Sequence, residues 1–186
     1  PSSPAPPVNK TDQTPVIKKV EDAQVQAQTV VQATPTWMNV AKGELGQTEV
    51  EGSANNPRVV EYHQSTGLKA KDDRTPWCAS FCSWVFDQTE YSGAGSARAK
   101  DWLQWGEGID APAIGAVAVI DYGGGKGHVG FVAGKKGDDI VVLLGGNQGD
   151  QVKYSTFKAS AIKGYRVPEG YTVPEGGYAL PEIDVK

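Results

Sequence analysis

The 186-residue sequence has only two cysteines and two histidines, and neither charge is strongly in excess. The formal net charge of −4 lacks the basic character that proteins binding nucleic acids or other polyanions usually show. No apolar run approaches the ~20 residues that a membrane-spanning helix needs. The alternating Asp/Asn pattern of a calcium loop is absent, and GGGKG lacks the GxxxxGK[ST] spacing of a phosphate-binding loop. These absences predict a protein with no nucleic-acid partner, no membrane span and no cofactor.

The few cysteines and histidines also argue against a zinc site. Cys78, Cys82, His63 and His128 would make four ligands, but Cys-x-x-x-Cys within a helix is not a usual zinc knuckle, and the core needs one cysteine. A helix also holds residues four apart too rigidly for the usual disulfide geometry. We therefore expect two free thiols and no metal.

Composition divides the chain into three parts. Residues 1–34 are rich in Pro, Gln, Thr and Val, which predicts a linker or leader, with a short helix in EDAQVQAQTVVQA as an alternative. Residues 35–167 carry the apolar patterns of a folded domain. Residues 168–186 repeat VPEGY, VPEGGY and ALPE, which favours an extended tail lying over the surface.

The central part changes its hydrophobic period halfway along. Helices are predicted at 37–45, at 55–66 with Asn56 as N-cap, at 75–88 with Thr75 as N-cap, and at 96–105. Beyond them, β-branched runs between glycine-rich turns predict about five strands, at 115–121, 128–134, 139–146, 151–155 and 163–167. Helices followed by an antiparallel sheet indicate the α+β class.

Cys78 is the first candidate catalytic residue. If Thr75 caps its helix, Cys78 lies in the first turn, where unpaired N–H groups and the helix dipole favour an anion. A thiol there has a lowered pKa, and its own N–H could bind an oxyanion. A small core residue is an equally good interpretation from position alone. Cys82, one turn deeper on the apolar stripe, is expected to be core.

A thiol nucleophile needs an imidazole to take its proton. His63 ends a helix, and we expect it to be a solvated surface residue. His128 follows GGGKG at the start of a strand. Alternation places it on one face with Gly130 and Val132, opposite Val129, Phe131 and Ala133. The small Gly130 leaves room for another group, which favours His128 as the base.

The base usually needs a third group that fixes its tautomer. Hairpin pairing brings the GGNQ segment, 145–148, near the start of the His128 strand. Asn147 can accept a hydrogen bond from the ring, although asparagine is also a common turn residue.

Several short motifs now occur in one order along residues 37 to 167. They are ELGQTE (44–49), NNP (55–57), YHQSTG (62–67), TPWC (75–78), GSARAKDWLQWG (95–106), PAIG (112–115), GHVGF (127–131) and GGNQ (145–148). This set resembles the CHAP family of cysteine, histidine-dependent amidohydrolases and peptidases, and is most similar to a bacterial and phage subfamily within it. The resemblance implies a papain-like core.

The resemblance also implies roles for individual residues. It places the nucleophile on Cys78, the base on His128 and the orienting residue on Asn147. Many CHAP members carry Glu two residues before that Asn, where this chain has Gly145. Groove-lining positions fall on four further residues whose motifs are equally compatible with a structural role: Gln47, Glu49, Asp73 and Trp77. Trp102 and Trp105 are expected to pack in the core.

By this resemblance the chain is expected to hydrolyse an amide of peptidoglycan, either the muramoyl–alanine bond or a bond in the stem peptide or cross-bridge. Two alternatives remain open: an inactive wall- or partner-binding module of the same fold, and a thiol-dependent peptidyl transferase. An antibacterial toxin with a cognate immunity protein, a phage lysin and a housekeeping enzyme all fit. Any of these acts after secretion or delivery to the periplasm or wall, although PSSPAPPVNK lacks the features of a signal peptide.

Overall fold

A computed structural model describes Pro4 and residues 14–186 of the chain. In this part, helices come first and strands follow, which confirms the α+β class. The α-helices are α1 (Thr14–Ala33), α2 (Thr36–Gly43), α3 (Pro57–His63) and α4 (Cys78–Asp87). The strands are β1 (Glu107–Ile109), β2 (Val117–Gly123), β3 (Lys126–Lys136), β4 (Ile140–Gly145), β5 (Lys153–Lys158) and β6 (Ile162–Val167). Short 3₁₀ helices span Ala99–Gln104 and Ala159–Ala161.

The described strands form one antiparallel sheet in the order β1-β6-β2-β3-β4-β5. It has six strands where the sequence predicted about five. The additional strand, β1, is three residues long and pairs with β6 at the edge. A strand this short contains no apolar run, so its pairing depends on β6 and cannot be read from local sequence. Strand β3, which carries His128, lies between β2 and β4 inside the sheet.

Two helix starts test the predicted caps. Asn56 caps α3 as expected, since its side chain accepts a hydrogen bond from the Arg58 N–H at 2.8 Å. The prediction for Thr75 is wrong, because α4 begins at Cys78 and follows Trp77, which makes no side-chain cap. Thr75 is instead held in a turn, where its N–H donates to Asp72 Oδ1 at 2.7 Å. Cys78 is therefore the first residue of its helix, not the third.

The sheet has an apolar core on each face, as the alternation along β3 predicted. Val129, Phe131 and Ala133 pack in the cluster that contains α4, while Val132 belongs to the cluster on the opposite face. Trp102 is fully buried in the first cluster and Trp105 packs against it, which confirms their expected place. The predicted helix over 96–105 is a 3₁₀ helix.

The two ends of the described chain behave differently. The described side chains of α1 between residues 15 and 32 are exposed. Residues 168–186 form no helix or long strand, and residues 181–183 lie beside β3. Ile183 N donates to Lys135 O and Lys135 N donates to Pro181 O, both at 2.9 Å. No helix of the described residues is long and apolar enough to cross a bilayer.

Candidate active site

A cavity of about 800 Å³ opens where the start of α4 meets the sheet. Its walls come from the start of α4, residues 97–99, the β2–β3 hairpin, the turn 147–149 and β5. The structure brings Cys78, His128 and Asn147 to this one cavity, as the sequence predicted. Cys78 and His128 are only 6% and 8% exposed, so both lie deep within its wall.

The ring of His128 is fixed by two neighbours. Its Nε2 lies 2.9 Å from Oε1 of Gln148, and its plane stacks on Phe157 with 5.2 Å between ring centroids. The hydrogen bond expected from Asn147 is therefore made by the next residue. Asn147 adopts a left-handed backbone with φ of 56°, which turns the chain and presents the following side chain to the ring.

The remaining contacts of Gln148 determine which proton His128 carries. The Gln148 amide nitrogen donates to the backbone oxygens of Leu143 at 3.1 Å and Lys153 at 2.6 Å. Because both partners are acceptors, the NH₂ group must face them and Oε1 must face the ring. An acceptor at Oε1 requires a proton on His128 Nε2. In the neutral ring Nδ1 is then unprotonated and able to take a proton.

Two glycines make space for this glutamine. A Cβ at Gly145 would lie 2.4 Å from Gln148 Oε1, and one at Gly130 would lie 3.3 Å from the same atom. The first distance is a clash and the second a tight contact. The room predicted beside His128 at Gly130 is thus occupied by the Gln148 amide. A side chain at position 145, such as glutamate, would compete with Gln148 for the same space.

The pKa of the Cys78 thiol does not follow the expectation from its position. Burial raises this pKa, while the backbone N–H groups of Val129, Ala79 and Cys78 itself lower it in part. The predicted lowering is therefore wrong for the free protein, because removal from water outweighs the amides at the helix start. The Val129 amide belongs to the residue after His128, so it ties the sulfur to the strand that bears the ring.

His128 is shifted in the direction that keeps it neutral. Burial lowers its pKa, and the hydrogen bond to Gln148 raises it in part. A thiol with a raised pKa and an imidazole with a lowered one form a neutral pair. Among the described residues no hydrogen bond joins Cys78 to His128. The resting site is thus a thiol and a free ring nitrogen sharing one cavity.

The four residues expected to line the groove lie outside the cavity wall. Trp77 and Asp73 are fully buried, and Gln47 and Glu49 are half-buried. Trp77 Nε1 donates to Glu49 Oε1 at 2.8 Å, and Asn56 Nδ2 donates to Gln47 Oε1 at 3.2 Å. These contacts join the segment before α3 to the start of α4, so in the structure these side chains hold the two segments together.

Asp73 is central to that arrangement. Its Oδ2 accepts hydrogen bonds from the N–H groups of Val50 and Asn56, each at 2.8 Å. Burial opposes ionisation of this carboxyl, but the two N–H donors lower its pKa overall. Asp73 thereby fixes the loop that leads into α4 and so positions Cys78 from a distance.

His63 is buried, and the expectation of a surface histidine is wrong. It is fully enclosed because α3 packs against α4, and its Nδ1 lies 2.8 Å from Ser80 Oγ. Burial lowers its pKa. Cys78 and Cys82 are both free and buried, as expected. Within the described residues, no three His, Cys, Asp or Glu side chains are grouped to hold a metal ion.

Sequence reasoning missed Gln148 as the partner of the imidazole. Its position directly after Asn147 could have indicated this role, because either side-chain amide can accept a hydrogen bond from the ring. The backbone conformation of the turn determines which of the two reaches it. It also missed the two cations of the cavity wall, Arg98 and Lys126, because they belong to segments 28 residues apart in sequence.

Comparison with known proteins shows which family part of the chain resembles. No curated protein matches the chain. Residues 70–147 match the model of the CHAP domain family. This range begins just before α4 and ends in the turn after β4, so it contains Cys78, His128 and Asn147. Residues 70–147 are therefore similar to a CHAP domain.

Proposed function

We propose that this protein hydrolyses an amide bond of peptidoglycan with Cys78 as nucleophile and His128 as general base. CHAP domains are generally hydrolases that act on peptidoglycan. The observation that carries the proposal is the shared cavity, in which a buried thiol and an imidazole with a free Nδ1 lie together. The first candidate bonds are the muramoyl–alanine amide and the peptide bonds of the stem or cross-bridge.

The chemistry begins from the neutral pair. As Cys78 Sγ attacks the carbonyl carbon, its proton passes to His128 Nδ1, and the carbonyl oxygen becomes an oxyanion. The C–N bond then breaks, and the amine leaves with the proton from Nδ1. Water attacks the resulting thioester, which releases the acid and restores the thiol.

Two features of the fold stabilise this sequence of steps. The helix α4 begins at Cys78, so its first N–H groups have no partner within the helix and are available to bind the developing oxyanion. Gln148 Oε1 accepts the hydrogen bond from Nε2–H throughout, so the ring keeps one orientation and Nδ1 remains the nitrogen that takes the proton. Gln148 is thus a positioning residue.

The test is mass spectrometry of fragments released from purified peptidoglycan by the wild-type protein. Free stem peptides with an N-terminal alanine identify a muramoyl–alanine amidase, and disaccharide-linked peptide fragments identify an endopeptidase. Adducts with an added amine would instead identify a peptidyl transferase.

Cys82→Ala is the matched control for Cys78→Ala, because it removes a second thiol one turn away that does not line the cavity. The proposal expects the Cys78 variant to release nothing and the Cys82 variant to remain active. A wild-type protein that binds peptidoglycan without releasing fragments would identify a binding module and contradict the proposal.

A further inference from the structure

The wall of the active-site cavity carries charge of one sign. Its charged residues are Arg98 and Lys126, and no aspartate or glutamate lines it. The chain as a whole has a net charge of −4, so this cavity is a basic exception on an acidic protein. A concave site lined by one sign of charge concentrates ligands of the opposite sign.

The two cations lie on touching segments. Arg98 directly precedes the 3₁₀ helix Ala99–Gln104, and Lys126 is the first residue of β3. A Cβ built at Gly127 would lie 3.5 Å from the Cβ of Ala99, so the residues next to each cation are in contact. The pair therefore belongs to one wall of the cavity, and Lys126 is two residues from His128.

Neither cation is used by the fold. Both side chains are exposed, and neither belongs to an ion pair within the described residues. The nearby acids have other partners: Asp101 accepts from Ser96 Oγ at 2.6 Å, and Asp121 pairs with Lys100 at 3.6 Å. Two unpaired cations in the cavity of the proposed nucleophile are therefore available to a ligand.

We infer that Arg98 and Lys126 form a carboxylate subsite, and that the preferred substrate is a stem peptide with a free carboxylate near the scissile amide. This inference rests on the proposed function. A guanidinium binds a carboxylate through two parallel N–H donors, and the lysine adds a second positive charge. Stem peptides whose carboxylates are converted to carboxamides cannot use this subsite, so the two cations determine which peptidoglycan is cut.

The experiment compares two muramyl peptides that differ only in one group, a side-branch carboxylate in the first and the corresponding carboxamide in the second. Wild-type protein, Arg98→Gln, Lys126→Gln and Arg98→Lys are assayed on both for kcat and KM. Lys42→Gln is the matched control, since it removes one positive charge from an exposed residue of α2 outside the cavity.

The wild-type protein should prefer the carboxylate peptide roughly tenfold in kcat/KM, mainly through KM, and added salt should reduce the preference. Each Gln variant should lose about three- to fivefold on this peptide and remain unchanged on the carboxamide. Arg98→Lys should recover part of the loss, and Lys42→Gln should match wild type on both.

Equal hydrolysis of both peptides by the wild-type protein would overturn the carboxylate subsite while leaving the proposed function intact. Equal losses on both peptides in the Gln variants would also overturn it, because a structural or long-range effect does not distinguish the two substrates. Hydrolysis of neither peptide would overturn the carboxylate subsite, and it would overturn the proposed function as well if purified peptidoglycan also releases no fragments.

Discussion

Replacement of Gln148 by leucine should separate the positioning of the imidazole from the chemistry of the thiol. Leucine has a similar size but neither accepts nor donates, so His128 loses the acceptor on Nε2. The variant also leaves the backbone oxygens of Leu143 and Lys153 without their donor. Gln148 is 4% exposed, so water cannot easily replace these bonds.

The size of the effect follows from the cost of a buried unpaired group, about 1–3 kcal/mol. If the loss of the hydrogen bond raises the free energy of the transition state by this amount, kcat/KM should decrease by roughly 5- to 150-fold. The loss should appear in kcat more than in KM, because Gln148 acts on the base. The two unpaired carbonyls should lower the free energy of unfolding by about 1–3 kcal/mol each.

The pH profile of kcat/KM distinguishes the loss of this hydrogen bond from a general loss of stability, because only the former moves the acid limb in a defined direction. The Gln148 hydrogen bond raises the pKa of His128, and the reaction needs the ring unprotonated. Without the bond this pKa decreases further, so the acid limb of kcat/KM should move to lower pH. Gln148→Glu keeps an acceptor and adds negative charge, which favours the imidazolium ion and should move the limb to higher pH.

Asn147→Gly is the control, because glycine tolerates the left-handed φ of 56° and removes only the side chain. It should keep the acid limb of the wild-type protein and most of its kcat. The reasoning fails if Gln148→Leu has the kcat/KM and acid limb of the wild-type protein, or if Asn147→Gly loses activity while Gln148→Leu retains it. Circular dichroism of each variant checks that the fold is present.

Three further predictions test other parts of the structure. Gly145→Ala should lower kcat, because its Cβ would lie 2.4 Å from the neighbouring glutamine oxygen, whereas Gly43→Ala, with open space around it, should be neutral in the same assay. Asp73→Asn should cost about 1–3 kcal/mol in urea unfolding at pH 7. The pKa of Asp73 is lowered in the folded protein, so the ionised carboxylate stabilises the fold above pH ~4. This stabilisation is lost as the pH falls through the folded pKa. The difference in stability between the wild-type protein and Asp73→Asn should therefore become smaller in acid. Iodoacetamide labelling of Cys78 should keep accelerating above pH ~8.5, because burial raises its pKa, and Cys82, fully buried, should react much more slowly.

Periodicity and turn residues were enough to predict the class of fold. The apolar stripe around Cys78 and the β-branched runs of β2, β3 and β4 depend on local sequence, and the structure has helices and strands there. The three-residue β1 could not be predicted, because a strand of that length exists only through its pairing with β6.

The sequence predicted where the candidate residues lie, but not the contacts that they make. Position and spacing brought Cys78 and His128 to one cavity, but the partner of the ring depends on one backbone angle in the turn, which selects Gln148 over Asn147. The prediction of a lowered pKa for Cys78 was wrong for a related reason. A helix start can be recognised in a sequence, whereas the depth at which tertiary packing buries it cannot.

The most direct test of the central claim is the rate at which folded Cys78→Ala protein releases fragments from purified peptidoglycan. The account predicts no release above the rate without protein, together with an unfolding transition like that of the wild-type protein, since alanine suits the first turn of α4. Release at the wild-type rate by Cys78→Ala would contradict the account.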